Sequence, residues 1–167
     1  MAAGKTYEPI ATTTATGSSP NVTFNTISGS YTDLMLVIAN VTAQIDNVGI
    51  TLNSDTGSNY SRVILQGNSS TASSNKNSNQ TYLYTMYKDT AGGDPVMSIS
   101  QFLNYSNSTT YKSVFTRQET NSSGTKSVQA IASVWRSTSA ITSISINSGN
   151  ANFNSGSTFT LYGIAAA

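Results

Sequence analysis

Apolar and polar residues alternate along most of this chain, and this alternation predicts β-strands. The segment from Tyr31 to Val41 is apolar on both faces, with Leu34, Leu36 and Ile38 on one face and Met35, Val37 and Ala39 on the other. A strand of this kind is covered on both sides. We therefore expect a second sheet on one face and another subunit or a loop on the other.

Similar segments recur between clusters of Gly, Asn, Ser and Asp, whereas few windows show the three- and four-residue spacing of helices. The pattern predicts an all-β protein, a jelly-roll-like β-sandwich of about ten antiparallel strands in which residues 1–167 form one domain. The predicted strands are Tyr7–Thr13, Val22–Ile27, Tyr31–Val41, Val48–Asn53, Tyr60–Gln66, Thr81–Tyr87, Val96–Leu103, Tyr111–Gln118, Ser127–Trp135, Ile141–Ile146 and Ser157–Ile164.

Two segments interrupt this pattern. Residues Asn68–Gln80 contain almost nothing to bury, so we expect a mobile rim loop there, near residues 68–80. The segment Lys88–Met97 contains Gly92, Gly93 and Pro95, and it is predicted to be a second open loop.

The last predicted strand has two different faces. Phe159 and Leu161 are expected to enter the core, and Gly163 on the same face leaves room for a close neighbour. Tyr162 and Ile164 fall on the opposite face. The small residues Ala165, Ala166 and Ala167 follow, and we expect this end of the chain to lie against a neighbouring molecule.

The segment "TYLYTMY" places Tyr82, Tyr84 and Met86 on one face of a strand. Tyrosine suits interfaces and sugar stacking because its ring is flat and its hydroxyl is polar. Two interpretations stay open: a core or subunit contact, and an exposed platform for a ligand. Trp135 ends a predicted strand in which apolar and polar residues alternate, and it is predicted to be a packing anchor.

Only 9 % of the residues are charged and the net charge is +1, with the lysines and arginines spread singly. No basic cluster could neutralise several phosphates, so no nucleic-acid partner is expected. No segment approaches the roughly 18 apolar residues that span a membrane, and the first residues lack the apolar region of a secretory signal. Low charge also weakens repulsion between copies, which favours assembly.

The chain contains no histidine and no cysteine, which removes the usual nucleophilic triads and thiolate metal sites. Asn53, Asp55 and Asn59 lie around Gly57 in a pattern that faintly resembles a calcium loop, but a tight turn is the favoured interpretation. We therefore expect no enzyme, no catalytic or metal-binding residues and no cofactor.

Several segments together resemble a known group of proteins. "VTFNTISGSYTDLMLVI" (Val22–Ile38) is similar to the recurrent phrase "ITFSxIPxxYTxLxLxx" of small virion proteins of tailed bacteriophages. "YEPIATTTAT", "LNSDTGSNYS", "SVWRSTSAITSISI" and "STFTLYGI" resemble the same group, in order along the chain, while residues 68–94 do not align. The resemblance implies a β-sandwich or jelly roll with a structural, non-catalytic role.

Two functions follow as expectations. The first is a capsid decoration or cement subunit of the virion, which is assembled in the host cytoplasm and contacts the major capsid protein, other copies of itself, or both. The alternative is a tail-fibre or baseplate domain that binds a host-surface glycan. The residues predicted to form the interface are Tyr82, Tyr84, Met86, Tyr162, Ile164, Ala165, Ala166 and Ala167.

Overall fold

The computed structural model describes residues 6–42, 45–88, 95–122 and 125–165, with only the backbone for residues 45–46, 87–88, 120–122 and 125. This part of the chain contains twelve strands. They are β1 (Tyr7–Thr14), β2 (Asn21–Phe24), β3 (Asp33–Val41), β4 (Ile45–Leu52), β5 (Tyr60–Asn68), β6 (Ala72–Gln80), β7 (Leu83–Lys88), β8 (Val96–Leu103), β9 (Lys112–Ser122), β10 (Thr125–Trp135), β11 (Ile144–Asn147) and β12 (Thr158–Ile164).

The strands form two antiparallel sheets, which confirms the predicted all-β class. The large sheet has eight strands in the order β1-β12-β3-β8-β9-β10-β5-β6, and the small sheet has four in the order β2-β11-β4-β7. Four pairs nest along the chain and alternate between the sheets, namely β1 with β12, β2 with β11, β3 with β8 and β4 with β7. This nesting is compatible with a jelly roll, which stays a prediction. No helix in the described ranges is long and apolar enough to cross a membrane.

The hydrophobic core lies between the sheets and follows the predicted alternation. In β3, Leu34, Leu36 and Ile38 are wholly buried, as are Phe159 and Leu161 of β12. Val22 and Phe24 of β2 enter the same core from the small sheet. The other face of β3 is half-buried, and a subunit covering it stays a prediction.

Two hairpins extend the large sheet beyond the small one. The first, β9 and β10, follows β8, and the second, β5 and β6, joins through the pairing of β5 with β10. The predicted loop over Asn68–Gln80 is wrong for Ala72–Gln80, because these residues form β6. They pair with β5 through the backbone at the edge of the sheet, where polar side chains stay exposed and no apolar pattern is needed.

Other strand ends differ by a few residues from the prediction. Tyr31 precedes β3 instead of starting it, and Ile141 precedes β11, although its side chain is buried. The predicted loop at Lys88–Met97 lies mostly outside the described residues, between the end of β7 and the start of β8 at Val96.

Polar side chains fill part of the space beneath the extension of the large sheet. The hydroxyl of Thr85 lies 3.1 Å from that of Ser98 and 3.0 Å from that of Ser100, which in turn lies 2.8 Å from the Thr116 hydroxyl. All four residues are buried. Because each hydroxyl can donate and accept, the cluster satisfies itself and joins β7 to β8 and β9.

A row of glutamines crosses the next three strands on the same inner side. The Gln118 amide donates to Gln129, and the Gln129 amide donates to Gln66 over 2.8 Å. These bonds link β9, β10 and β5 through side chains as well as through the backbone. The extension is therefore held firmly from its inner side, which leaves its other side free to contact a partner.

Candidate functional site

The most unusual surface is the side of the large sheet that faces away from the small sheet, here called the outer face. It is formed by alternate residues of β5, β8, β9 and β10. Its large apolar side chains are exposed by 39 to 67 %, and they are Val63, Leu65, Met97, Leu103, Phe115 and Val128. On β8 and β9 the inward-pointing neighbours are buried, and several of them, such as Ser100, Thr116 and Gln118, are polar. The apolar side chains of this part of the sheet thus lie on its outer face.

Shallow grooves shape the outer face, and two of them lie among its large apolar side chains. The first, of about 750 Å³, lies between Leu65, Met97 and Val128. The second, of about 430 Å³, lies beside Val63 and Phe115. Soluble monomers rarely expose a large apolar surface, and such a surface usually marks an interaction site.

Two opposite charges stand at the centre of the outer face. Arg117 and Glu119 are both exposed, and they lie two residues apart on β9, so they point in the same direction. Within the described part of the chain, neither side chain has an ion-pair or hydrogen-bond partner. The centre of this apolar surface thus carries one unpaired positive and one unpaired negative group.

The predicted interface on the tyrosine-rich strand lies mainly inside the protein. Met86 is wholly buried and Tyr84 is 7 % exposed, so their side chains offer no surface to a partner. The predicted placement of three residues on one face is also wrong, because irregular pairing between β4 and β7 turns both Leu83 and Met86 towards the core. Tyr84 and Met86 therefore pack inside the protein, and neither belongs to an exposed platform for a ligand.

Tyr82 differs from these two residues because it precedes β7 and is only half-buried. Its ring lies against Gly49, where a Cβ atom would be 2.7 Å from the ring Cδ2 atom. Because Gly49 has no side chain, the Tyr82 ring can lie this close to the strand. Tyr82 lines a groove of about 600 Å³ on the exposed side of the small sheet, together with Asn21, Asn47, Gly49, Thr51, Thr56, Thr81, Ser145, Asn147, Gly149 and Asn150.

Arg62 explains why the two tyrosines lie together. Its guanidinium carbon is 4.9 Å from the ring centre of Tyr84 and 5.8 Å from that of Tyr82, which is a cation–π arrangement. Its Nε atom donates to Asn77 over 3.2 Å. The tyrosines thus help to hold a partly buried cation, which is a structural role.

A second cation is buried more deeply. Lys112 is 1 % exposed, and its Nζ atom donates to the carbonyl oxygens of Thr110 at 2.7 Å and Thr138 at 3.0 Å. Burial lowers the pKa of Lys112. The contacts join the loop before β9 to the segment after β10, so this lysine serves the fold.

The C-terminal residues of the predicted interface lie on the side that the sequence indicates. Tyr162 and Ile164 are half-buried and alternate with the buried Leu161 and Gly163. The backbone N–H of Ala165 donates to the carbonyl oxygen of Thr6 over 3.1 Å, which continues the pairing of β12 with β1. Ala166 and Ala167 lie outside the described residues, and their contact with a neighbour stays a prediction.

Asp55 lies in a turn, as the favoured interpretation stated. Its carboxylate accepts hydrogen bonds from the Gly57 N–H at 2.8 Å, the Asn59 amide at 2.9 Å and the Trp135 indole at 2.7 Å. Burial raises the pKa of Asp55, but these hydrogen bonds outweigh it and hold the pKa below its usual range. Trp135 is 2 % exposed and is a packing anchor as predicted.

The remaining acidic side chains that the structure describes do not form a catalytic or metal-binding cluster. Asp33 accepts from the Asn104 N–H at 2.7 Å and from Gln101 at 3.3 Å, which serves the end of β8. In the described ranges, no three residues of the metal-binding types come together. The comparisons add no family, because no protein-family model and no curated protein matches the chain.

Proposed function

We propose that this chain is a non-enzymatic structural protein of a tailed-phage virion, a decoration or cement subunit that stabilises the head lattice. The observation that carries the proposal is the apolar outer face, where Leu65 is 57 % and Val128 is 67 % exposed. Exposing these side chains to water is unfavourable, and covering them in an assembly recovers free energy. Such a surface suits a protein that works by contact with the major capsid protein or with its own copies.

Two properties of the sequence support the same proposal. Only 9 % of residues are charged, so repulsion between crowded copies is small. The segments at Val22–Ile38 and Ser157–Ile164 resemble virion proteins of tailed phages. In the structure these segments form β2, β3 and β12, which are central to the core. The resemblance therefore concerns the framework, and the outer face of the added hairpins supplies the contact.

A cement subunit gains strength from repetition. Each contact is of moderate strength, but a subunit that is held at several points of a lattice dissociates slowly because the contacts act together. The hydroxyl cluster and the glutamine row hold the extended sheet from its inner side. A rigid face loses little conformational entropy on binding, which favours such contacts.

Binding to phage heads that lack this chain tests the proposal. We expect the purified protein to bind these heads in many copies and to raise their melting temperature. The double variant L65K/V128K should fold but bind at least about tenfold more weakly, because each lysine places a charge in the contact. T23E adds a charge on the small sheet and serves as the matched control. Absence of binding by the unaltered chain would contradict the proposal.

A specific observation favours the second candidate, a domain that binds a host-surface glycan. The groove beside Tyr82 is lined by amide and hydroxyl side chains and carries no charged residue. A neutral sugar requires such donors and acceptors together with a flat ring on which to stack. Tyr82, whose ring lies against Gly49, supplies that ring.

Glycan-array binding distinguishes this candidate. If the groove binds sugar, Y82A should lose the signal, while Y111A should keep it, because Tyr111 is an exposed tyrosine outside the groove. Circular dichroism checks that both variants fold. An array without any signal for the unaltered chain would remove this candidate.

A further inference from the structure

The register of three strands arranges the outer face in rows. Both Arg117 and Leu65 pair with Ala130, and both Glu119 and Gly67 pair with Val128. The first row therefore consists of Arg117, Ala130 and Leu65, and the adjacent row consists of Glu119, Val128 and Gly67. The two rows cross β9, β10 and β5 side by side.

The two rows are opposite in charge on β9 and opposite in size on β10 and β5. On β9 a positive residue stands beside a negative one. On β10 the small Ala130 stands beside Val128, and on β5 the large Leu65 stands beside Gly67. A Cβ atom at Gly67 would have no neighbour within 4 Å, so the space above this residue is open. Each row is thus the complement of the other.

We propose that a second copy of this chain covers the outer face, related by a two-fold axis that lies between the faces and runs perpendicular to the strands. Such an axis reverses the strand direction and places the first row of one copy on the second row of the other. Arg117 then meets Glu119 of the second copy, and Leu65 enters the space above its Gly67. In a two-fold interface every such contact occurs twice.

The charges select this arrangement over those with an axis parallel to the strands. A parallel axis over β9 would place Arg117 on Arg117 and Glu119 on Glu119, and one over β10 would place Arg117 on Leu65 and Glu119 on Gly67. Both leave charges without an opposite partner in an apolar contact. The perpendicular axis pairs Arg117 with Glu119 of the second copy, two groups that have no ion-pair partner in the described part of the chain. Ion pairs surrounded by apolar side chains fix the register of an interface, while the apolar contacts supply most of the affinity.

The four strands of the outer face, at a spacing of about 4.8 Å and a length of about 25 Å, give a flat area of roughly 480 Å². A standard interface buries about 800 Å² per partner, so we expect a small interface and a dimer of moderate affinity. The paired faces would form a sheet-on-sheet contact in which apolar side chains interdigitate at a separation of about 10 Å.

This inference rests on the proposed function for its biological role, since it names a second copy as the partner at the outer face. Sedimentation velocity over a range of concentrations tests it directly. We expect a dimer for the unaltered chain. R117E and E119R should each raise the dissociation constant by about a hundredfold, because two like-charged pairs form in each dimer. The double variant R117E/E119R should restore dimerisation, since it exchanges the charges and keeps the pairs.

A second pair of variants tests the fit of size. G67L fills the open space and should also produce monomers, whereas T23E on the small sheet should leave the dimer intact. Circular dichroism and thermal melting confirm folding in every case. An unaltered chain that stays monomeric at about 100 µM, or a double variant that does not recover, would overturn the inference.

Binding to phage heads distinguishes a failure of the dimer inference from a failure of the proposed function. A monomeric chain that still binds phage heads through Leu65 and Val128 would overturn the dimer and leave the proposed function standing. A dimer that shows the predicted charge dependence but does not bind heads would contradict the proposed function and leave the dimer standing.

Discussion

The indole nitrogen of Trp135 donates a hydrogen bond of 2.7 Å to the carboxylate of Asp55, which joins the end of β10 to the turn between β4 and β5. The Trp135 ring also stacks on Tyr60, with ring centres 6.4 Å apart. Three side chains thus close one end of the sandwich beside the extension of the large sheet.

Replacing Asp55 by alanine should destabilise the protein by about 1–3 kcal/mol, because the buried Trp135 N–H loses its acceptor. Urea unfolding followed by fluorescence measures the change, and Trp135 is the only tryptophan in the chain. N25A, at an exposed position, should change the free energy of unfolding by less than about 0.5 kcal/mol. A D55A variant as stable as N25A would show that this contact contributes nothing.

The contribution of Asp55 should depend on pH. Its pKa is lowered in the folded protein, so the stabilisation is fully present above the unfolded value of about 3.9 and is lost as pH falls through the folded value. The difference in stability between the unaltered chain and D55A should therefore be larger at pH 6 than at pH 3. An equal difference at both pH values would contradict the assignment.

Tyr60 should respond at the other end of the pH range. Burial raises its pKa to about 12, while its hydroxyl donates to the Asp55 carbonyl and accepts from the Leu52 N–H. The unfolded value is about 10, so the stabilisation is present below pH 10 and is lost as pH rises towards 12. Ultraviolet titration should show a tyrosine component that ionises near pH 12, and Y60F should reduce this component by one tyrosine. A Y60F profile identical to that of the unaltered chain would contradict the prediction.

The ring of Tyr31 lies against Gly163 of the last strand, where a Cβ atom would overlap it. G163A should therefore cost about 1–3 kcal/mol, since a packed ring must move. In the Y31A background the same substitution should cost much less, because the ring is absent. A double-mutant cycle measures this coupling, and an equal cost in both backgrounds would show that Tyr31 is not the reason for the glycine.

The outer face should contribute little to the stability of the isolated chain. V128K changes a residue that is 67 % exposed, so the melting temperature of a dilute sample should change little. I131K, at a neighbouring position that is wholly buried, should prevent folding. Light scattering at high concentration should show less association for V128K. A large loss of stability for V128K in dilute solution would show that this face belongs to the core.

The sequence was sufficient to predict the all-β class and the core, because residues such as Leu34 and Phe159 alternate with less buried neighbours. Successive side chains of a strand point to opposite faces of the sheet, so burial of one face produces this alternation. The strand β6 was not predictable in this way. It is held by backbone hydrogen bonds at a sheet edge, and its side chains remain exposed. Burial patterns contain no signal for such a strand.

The outer face was missed for a different reason. Leu65, Met97 and Val128 are far apart in the sequence, and only the pairing of β5, β10, β9 and β8 brings them together. Each one looks like an ordinary strand residue on its own. The tyrosines attracted attention through their chemistry, but Tyr84 is used inside the protein, beside Arg62.

Hydroxyl-radical footprinting of Met97 tests the central claim, that the outer face is an assembly surface, most directly. Met97 is 39 % exposed in the isolated chain, and Tyr7, on the far edge strand, is 54 % exposed. The account predicts that assembled particles protect Met97 from oxidation by at least about fivefold relative to a dilute sample, while Tyr7 changes less. Equal oxidation of Met97 in the dilute and assembled states would contradict it.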